Sequence, residues 1–145
     1  MEEQETTIDY LAAAARQEIP REEAYSLCRR DAERGDPVAQ SNLALMYSKG
    51  FGVKKNHKTA FKWCKLSAEQ GNPVAQCNLG AKYHHGEGIQ KNHIRAHMWL
   101  NIASINGQRG AEKLQDIVSK RMTHSQVVEA RELAKECIKN KYRGF

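Results

Sequence analysis

The chain has 145 residues and a net charge of +6, with 40% hydrophobic and 28% charged side chains, a globular composition long enough to bury roughly two-thirds of its unfolded surface and unlike that of a disordered chain. No apolar stretch approaches the roughly 18 residues of a membrane span, and Glu2, Glu3 and Glu5 follow Met1 where a secretory leader would be basic; a cytoplasmic location and no membrane partner are expected. The charge is uneven: residues 1–36 carry ten acidic and five basic side chains, so the acidic start gives way to a strongly basic body that also holds all six histidines.

In chain order, residues 1–6 read as a solvated tail. Thr7 is placed to cap a helix from Ile8 to about Gln17, and Pro20 marks the turn out of it. This segment, 1–20, lies off the pattern that follows and is expected to be an N-terminal cap.

From residue 21 a step of about 36 residues aligns the chain with itself. It pairs Ala24 with Ala60 and Ala96, Gly35 with Gly71 and Gly107, Leu43 with Leu79, Tyr47 with Tyr83, and Asn56 with Asn92. The first copy opens with a helix A over about 21–34, where Ala24, Leu27, Cys28, Asp31 and Ala32 share one face. Gly35 stops it; Asp36 caps the next helix, whose first position is Pro37, a residue with no amide hydrogen to lose. Gly71-Asn72-Pro73 repeats the device. Helix B carries Ala39, Leu43, Met46 and Tyr47 on one stripe, and Gly50 to Asn56 returns the chain to the next helix A. The expected architecture is an all-α solenoid of three helix pairs over about 21–55, 56–91 and 92–121.

The third helix A is more apolar than its predecessors, with Trp99, Leu100, Ile102, Ala103 and Ile105. Something must cover it. Thr123 and Gln126 form a capping box ahead of Val127, Ala130, Leu133, Ala134 and Cys137, so residues 122–145 are expected to be a C-terminal capping helix, fraying from Lys139.

The run Ala60-x-x-Trp63-Cys64-x-x-Ser67-Ala68-x-x-Gly71, then Ala75-Gln76-x-x-Leu79-Gly80, then Tyr83-x-x-Gly86-x-Gly88-Ile89 resembles the Sel1-like repeat family, relatives of tetratricopeptide repeats. The resemblance covers about residues 24–121; repeat one has Leu27 where the family prefers Trp, and repeat three lacks the Pro. It implies a right-handed superhelix used mainly as an adaptor surface for other proteins, with the A helices facing a concave groove. On that implication the partner-binding residues are Tyr25, Arg29, Phe61, Lys62, Lys65 and His97, which lie off the apolar stripes and combine aromatic contact with positive charge. The expected partner is a protein or peptide with an acidic segment, bound by a monomer.

Enzymatic readings have less to stand on. Gly50-Phe-Gly and Gly86-Glu-Gly follow helices and lack the Lys-Ser or Lys-Thr of a nucleotide loop. No set of nucleophile, base and oxyanion donors recurs, so no catalytic residue and no cofactor are expected. The alternative is β-lactam hydrolysis, as in a cysteine-rich branch of the family, but there each repeat has two cysteines about eight residues apart, whereas Cys64 and Cys77 are thirteen apart. His93 and His97 have a spacing at which two imidazoles share a metal, yet His57 occupies the repeat position of His93, and a solvated position explains both; no metal is expected. Nucleic acid is a second alternative through the basic body, weakened because Trp63 and Trp99 occupy core positions instead of interleaving with the lysines.

Overall fold

The computed structural model describes residues 9–145, and the expected Thr7 cap lies outside them. Eight helices and no strand occur among the described residues. The first, α1 (Tyr10–Ala15), is shorter than expected and is capped by Asp9, whose carboxylate accepts from the Ala12 amide. The A and B helices then alternate: α2 (Arg21–Glu33), α3 (Pro37–Lys49), α4 (His57–Glu69), α5 (Pro73–His85), α6 (His93–Ile105) and α7 (Ala111–Ser119), closed by α8 (His124–Lys139).

The repeated stops and starts have the anticipated chemistry. Asp36 Oδ1 accepts from the amides of Val38 and Ala39, and Asn72 Oδ1 from that of Ala75. Asn56 and Asn92 cap α4 and α6 in the same way. Helix α7, preceded by Gly110 in place of Asn-Pro, starts with no side-chain cap and runs only nine residues. Asp36→Ala leaves two amides at the start of α3 unpartnered and is expected to lower stability by about 1 kcal/mol in urea denaturation, with helical content unchanged by circular dichroism.

Each B helix packs most extensively on the A helix that follows it, α3 on α4 and α5 on α6. The apolar interior falls into two clusters, one around Cys28, Leu43 and Met46 and a larger one around Leu79, Trp99, Leu100 and Ile102. Trp63, expected in the core, is half-buried and packs against both clusters. Its repeat equivalent Trp99 is fully buried, because α6 is enclosed by α5, α7 and α8, whereas α4 has substantial packing only from α3 and α5.

A polar ladder runs alongside this apolar seam. Gln40 and Gln76, each in a Pro-Val-Ala-Gln run, donate from Nε2 to the carbonyls of Ala32 and Ala68, both at 3.1 Å. Their Oε1 atoms accept from residues one helix further on, Gln70 at 2.7 Å and Asn106 at 2.8 Å. Both Gln40 and Gln76 are buried, so the bonds satisfy groups that would otherwise be costly inside, and they fix each unit's register on the next.

Helix α8 does not extend the stack along α7. It lies on α6, covering the apolar helix as its composition requires, and its start is the expected capping box of Thr123 and Gln126. The end of the chain does not fray from Lys139. Tyr142 and Phe145 pack against the larger cluster, the Tyr142 hydroxyl accepts from Asn106 Nδ2, and Arg95 donates to the Phe145 carbonyl at 2.9 Å. Two aromatic rings at the end of a basic segment thus find apolar surface that the helix pattern alone does not reveal.

Candidate functional site

The A helices present one face repeatedly, and the three copies have different fates. In repeat one, Tyr25 is half-buried, edge-on to Tyr47 with ring centroids 5.8 Å apart and hydroxyls 2.7 Å apart. Arg29 donates to the Tyr25 hydroxyl at 3.2 Å and pairs with Glu33 at 2.9 Å, so its exposed guanidinium is already partnered. In repeat two, Phe61 meets Tyr83 in the same edge-on geometry at 5.5 Å. The step that relates Tyr25 to Phe61 also relates Tyr47 to Tyr83, so the aromatic pair is a repeated clamp between helices A and B, leaving only part of each A-helix ring for contact with anything else.

Lys62 is exposed and Lys65 half-buried, and neither forms an ion pair among the described residues. Beside them, one helical turn on from Lys62, stands Leu66, 49% exposed. Sequence reasoning missed Leu66; the signal available was an apolar residue one helical turn from Lys62 and adjacent to Lys65.

In repeat three the face is closed. Met98 and Ile102, the equivalents of Lys62 and Leu66 in repeat two, are completely buried. His97, expected on an open partner-binding surface, is only 2% exposed, and this corrects its assignment. Its Nε2 lies 3.4 Å from Gln115 Nε2 of α7, and Nδ1 has no hydrogen-bond partner. Burial, with the Arg131 guanidinium nearby, pushes its pKa below the ordinary histidine value. The physical reason is enclosure by three helices: α7 supplies Gln115 and α8 brings Arg131 near the ring, so that with α5 the helix α6 has one packed neighbour more than α2 or α4.

The remaining candidates for chemistry are dispersed. His93 stands near His84, ring centroids 5.8 Å apart, while His97 is buried on its own helix, and no group of three or more metal-ligating side chains converges among the described residues. Burial pushes the Cys64 thiol up to about 12, and those of Cys28 and Cys137 to about 11, so at neutral pH they are thiols and poor nucleophiles. Cys64 donates to the Ala75 carbonyl, a packing role. No helix is long and apolar enough to cross a membrane among the described residues.

Stacked helix pairs in a fixed register, held by repeated caps, clamps and polar ladders, define a helical-repeat solenoid protein. The chain belongs to the Sel1 repeat family, whose pattern matches residues 37–72 and 73–108. Each matched unit is a B helix with the A helix after it, the pairs that pack most extensively. A Sel1 repeat protein from Oxalobacter formigenes is similar to it, with 38% identity, a TM-score of 0.63 and coverage of 65% of this chain and 71% of that one. A protective antigen of uropathogenic Escherichia coli with an SLR fold is also similar, with 30% identity and a TM-score of 0.79 over 83% of this chain. The chain spans 27% of the antigen's length. No curated protein matches it in sequence. Sel1 repeat proteins typically serve as scaffolds for protein interaction.

Proposed function

We propose that this protein is a non-enzymatic adaptor that binds an acidic segment of a partner protein on the open A-helix face of repeats one and two. The observation that supports the reading is that α8 packs on α6, where Met98 and Ile102, the equivalents of Lys62 and Leu66, are completely buried, while those positions are exposed in repeat two. Where that place is taken the face is apolar, with Met98 and Ile102; where it is open the face is Lys62, Lys65 and Leu66, with the accessible edges of Phe61 and Tyr25. An exposed Leu66 with unpaired positive charge along one side suits an amphipathic helix or strand with acidic residues along one edge. Arg29 contributes less than its position suggested, because Glu33 already neutralises it.

The test begins with capture of partners from a lysate and continues with a purified one. Binding is expected to weaken as salt rises past about 0.1 M, where the Debye length is about 10 Å. Lys62→Glu combined with Lys65→Glu is expected to weaken it by about 100-fold or more while leaving the melting temperature unchanged, since two lysines of an open face are reversed in sign. Binding indifferent to both salt and the double reversal would sink this reading.

A further inference from the structure

The 36-residue step holds one conspicuous exception inside the core. At the position where repeat one places Met46 and repeat three Val118, both completely buried, repeat two places Lys82. Lys82 is only 6% exposed. An apolar side chain at this position is what the repeat calls for, and a buried ammonium is costly unless something compensates it. Its one hydrogen bond is to Ser48 Oγ at 2.7 Å, a neutral acceptor, and no carboxylate pairs with it among the described residues. Two of its three donors are therefore uncommitted.

Lys82 lines a cleft of about 360 Å³ between α3 and α5, at the lower end of the size range of small-molecule sites. The other groups on its wall are of matching kind. Ser48 accepts from Lys82 and so keeps its own O–H free to donate. His57 contributes a ring whose Nδ1 is shielded from solvent and has no partner. Asn78 adds an amide from the same helix as Lys82, and Lys49 and Lys55 stand at the exposed rim, neither in an ion pair among the described residues. Glu87 is the lone carboxylate of the lining, against three lysines.

We propose that this cleft binds a phosphate dianion, with Lys82 as the buried cation at its base, Ser48 and Asn78 as neutral donors and Lys49 and Lys55 as the rim that draws the anion in. The excess of two positive charges selects a dianion over a carboxylate, which would leave a lysine uncompensated. The cleft lies on the B-helix side and is a separate site from the Lys62 and Lys65 face.

The experiment is a titration of the full chain with inorganic phosphate, and in parallel with acetate, at constant ionic strength and pH, following backbone amide resonances. Phosphate is expected to give saturating shifts at Ser48, Asn78, Lys82 and Glu87, and acetate none that saturate. Lys82→Met restores the residue of repeat one, so the fold is retained; it is expected to weaken phosphate binding about tenfold or more, the loss of one charged donor set. Ser48→Ala provides an independent, smaller weakening. The Lys62→Glu, Lys65→Glu double variant is expected to bind phosphate as the unaltered protein does, which separates this site from the adaptor face. Absence of saturating shifts, equal affinity for acetate, or undiminished binding in both Lys82→Met and Ser48→Ala would overturn the assignment.

Discussion

Trp99→Ala is expected to lower stability by about 3–5 kcal/mol, the range for emptying a fully buried aromatic site. The ring is completely buried in the larger cluster, on a helix wrapped by α5, α7 and α8. A cavity there has no direct route to solvent and cannot close without moving three helices. The indole N–H has no hydrogen-bond partner, so Trp99→Phe, which keeps most of the ring and removes an unsatisfied donor, is expected to cost much less than the alanine. Trp63→Ala removes the same residue type from the same repeat position, but from a half-buried ring, and its cost is expected to fall between the two. Urea denaturation of the three variants checks the order. A Trp99→Ala cost below about 1 kcal/mol would mean that α8 is not seated on α6 in solution.

Gly88→Ala is expected to be the most damaging single-methyl insertion in the chain. Gly88 sits at φ +76° in the loop returning from α5, and a Cβ built there would overlap the backbone carbonyl of His57 at the start of α4. Because the obstacle is backbone, no rotamer change relieves it. The left-handed conformation adds about 1–2 kcal/mol for any residue with a Cβ and the overlap about 1–3 kcal/mol more, so a loss of roughly 2–5 kcal/mol is expected by thermal or urea unfolding. Gly107→Ala is the control: its φ is similarly positive, +88°, but nothing lies within 4 Å of the added methyl, so only the conformational part should appear. Equal losses at the two positions would show that the close approach of the loop to α4 does not matter.

What was legible in the sequence was whatever repeats. Gly-Asp-Pro and Gly-Asn-Pro, Asn56 and Asn92, and the capping box at Thr123 are local devices whose chemistry is complete within a few residues, and each appears where it was expected. The need to cover the third A helix was also readable, because its apolar composition contradicts a solvated face. What failed was the fate of one face under tertiary packing. His97 shares its repeat position with Tyr25 and Phe61, and nothing within its own helix distinguishes an open position from one beneath α8. Tyr142 and Phe145 likewise read as a polar tail with two stray rings until α6 and the Asn106 amide give them partners. Lys82 is the opposite case: aligned with Met46 and Val118, it is a break in the pattern that the 36-residue step alone makes visible. The candidate binding face was therefore half legible, in its lysines and aromatics but not in its boundary.

Trp63 packs against both apolar clusters, and among the described residues it is the one partly buried side chain shared between them. The halves are joined there by this indole, by the packing of α3 on α4, and by the hydrogen bonds from Gln70 to Gln40 and from Ser67 to the Pro37 carbonyl. Trimming that indole is therefore expected to loosen both apolar clusters at once, where trimming any other partly buried ring among the described residues would disturb only one of them.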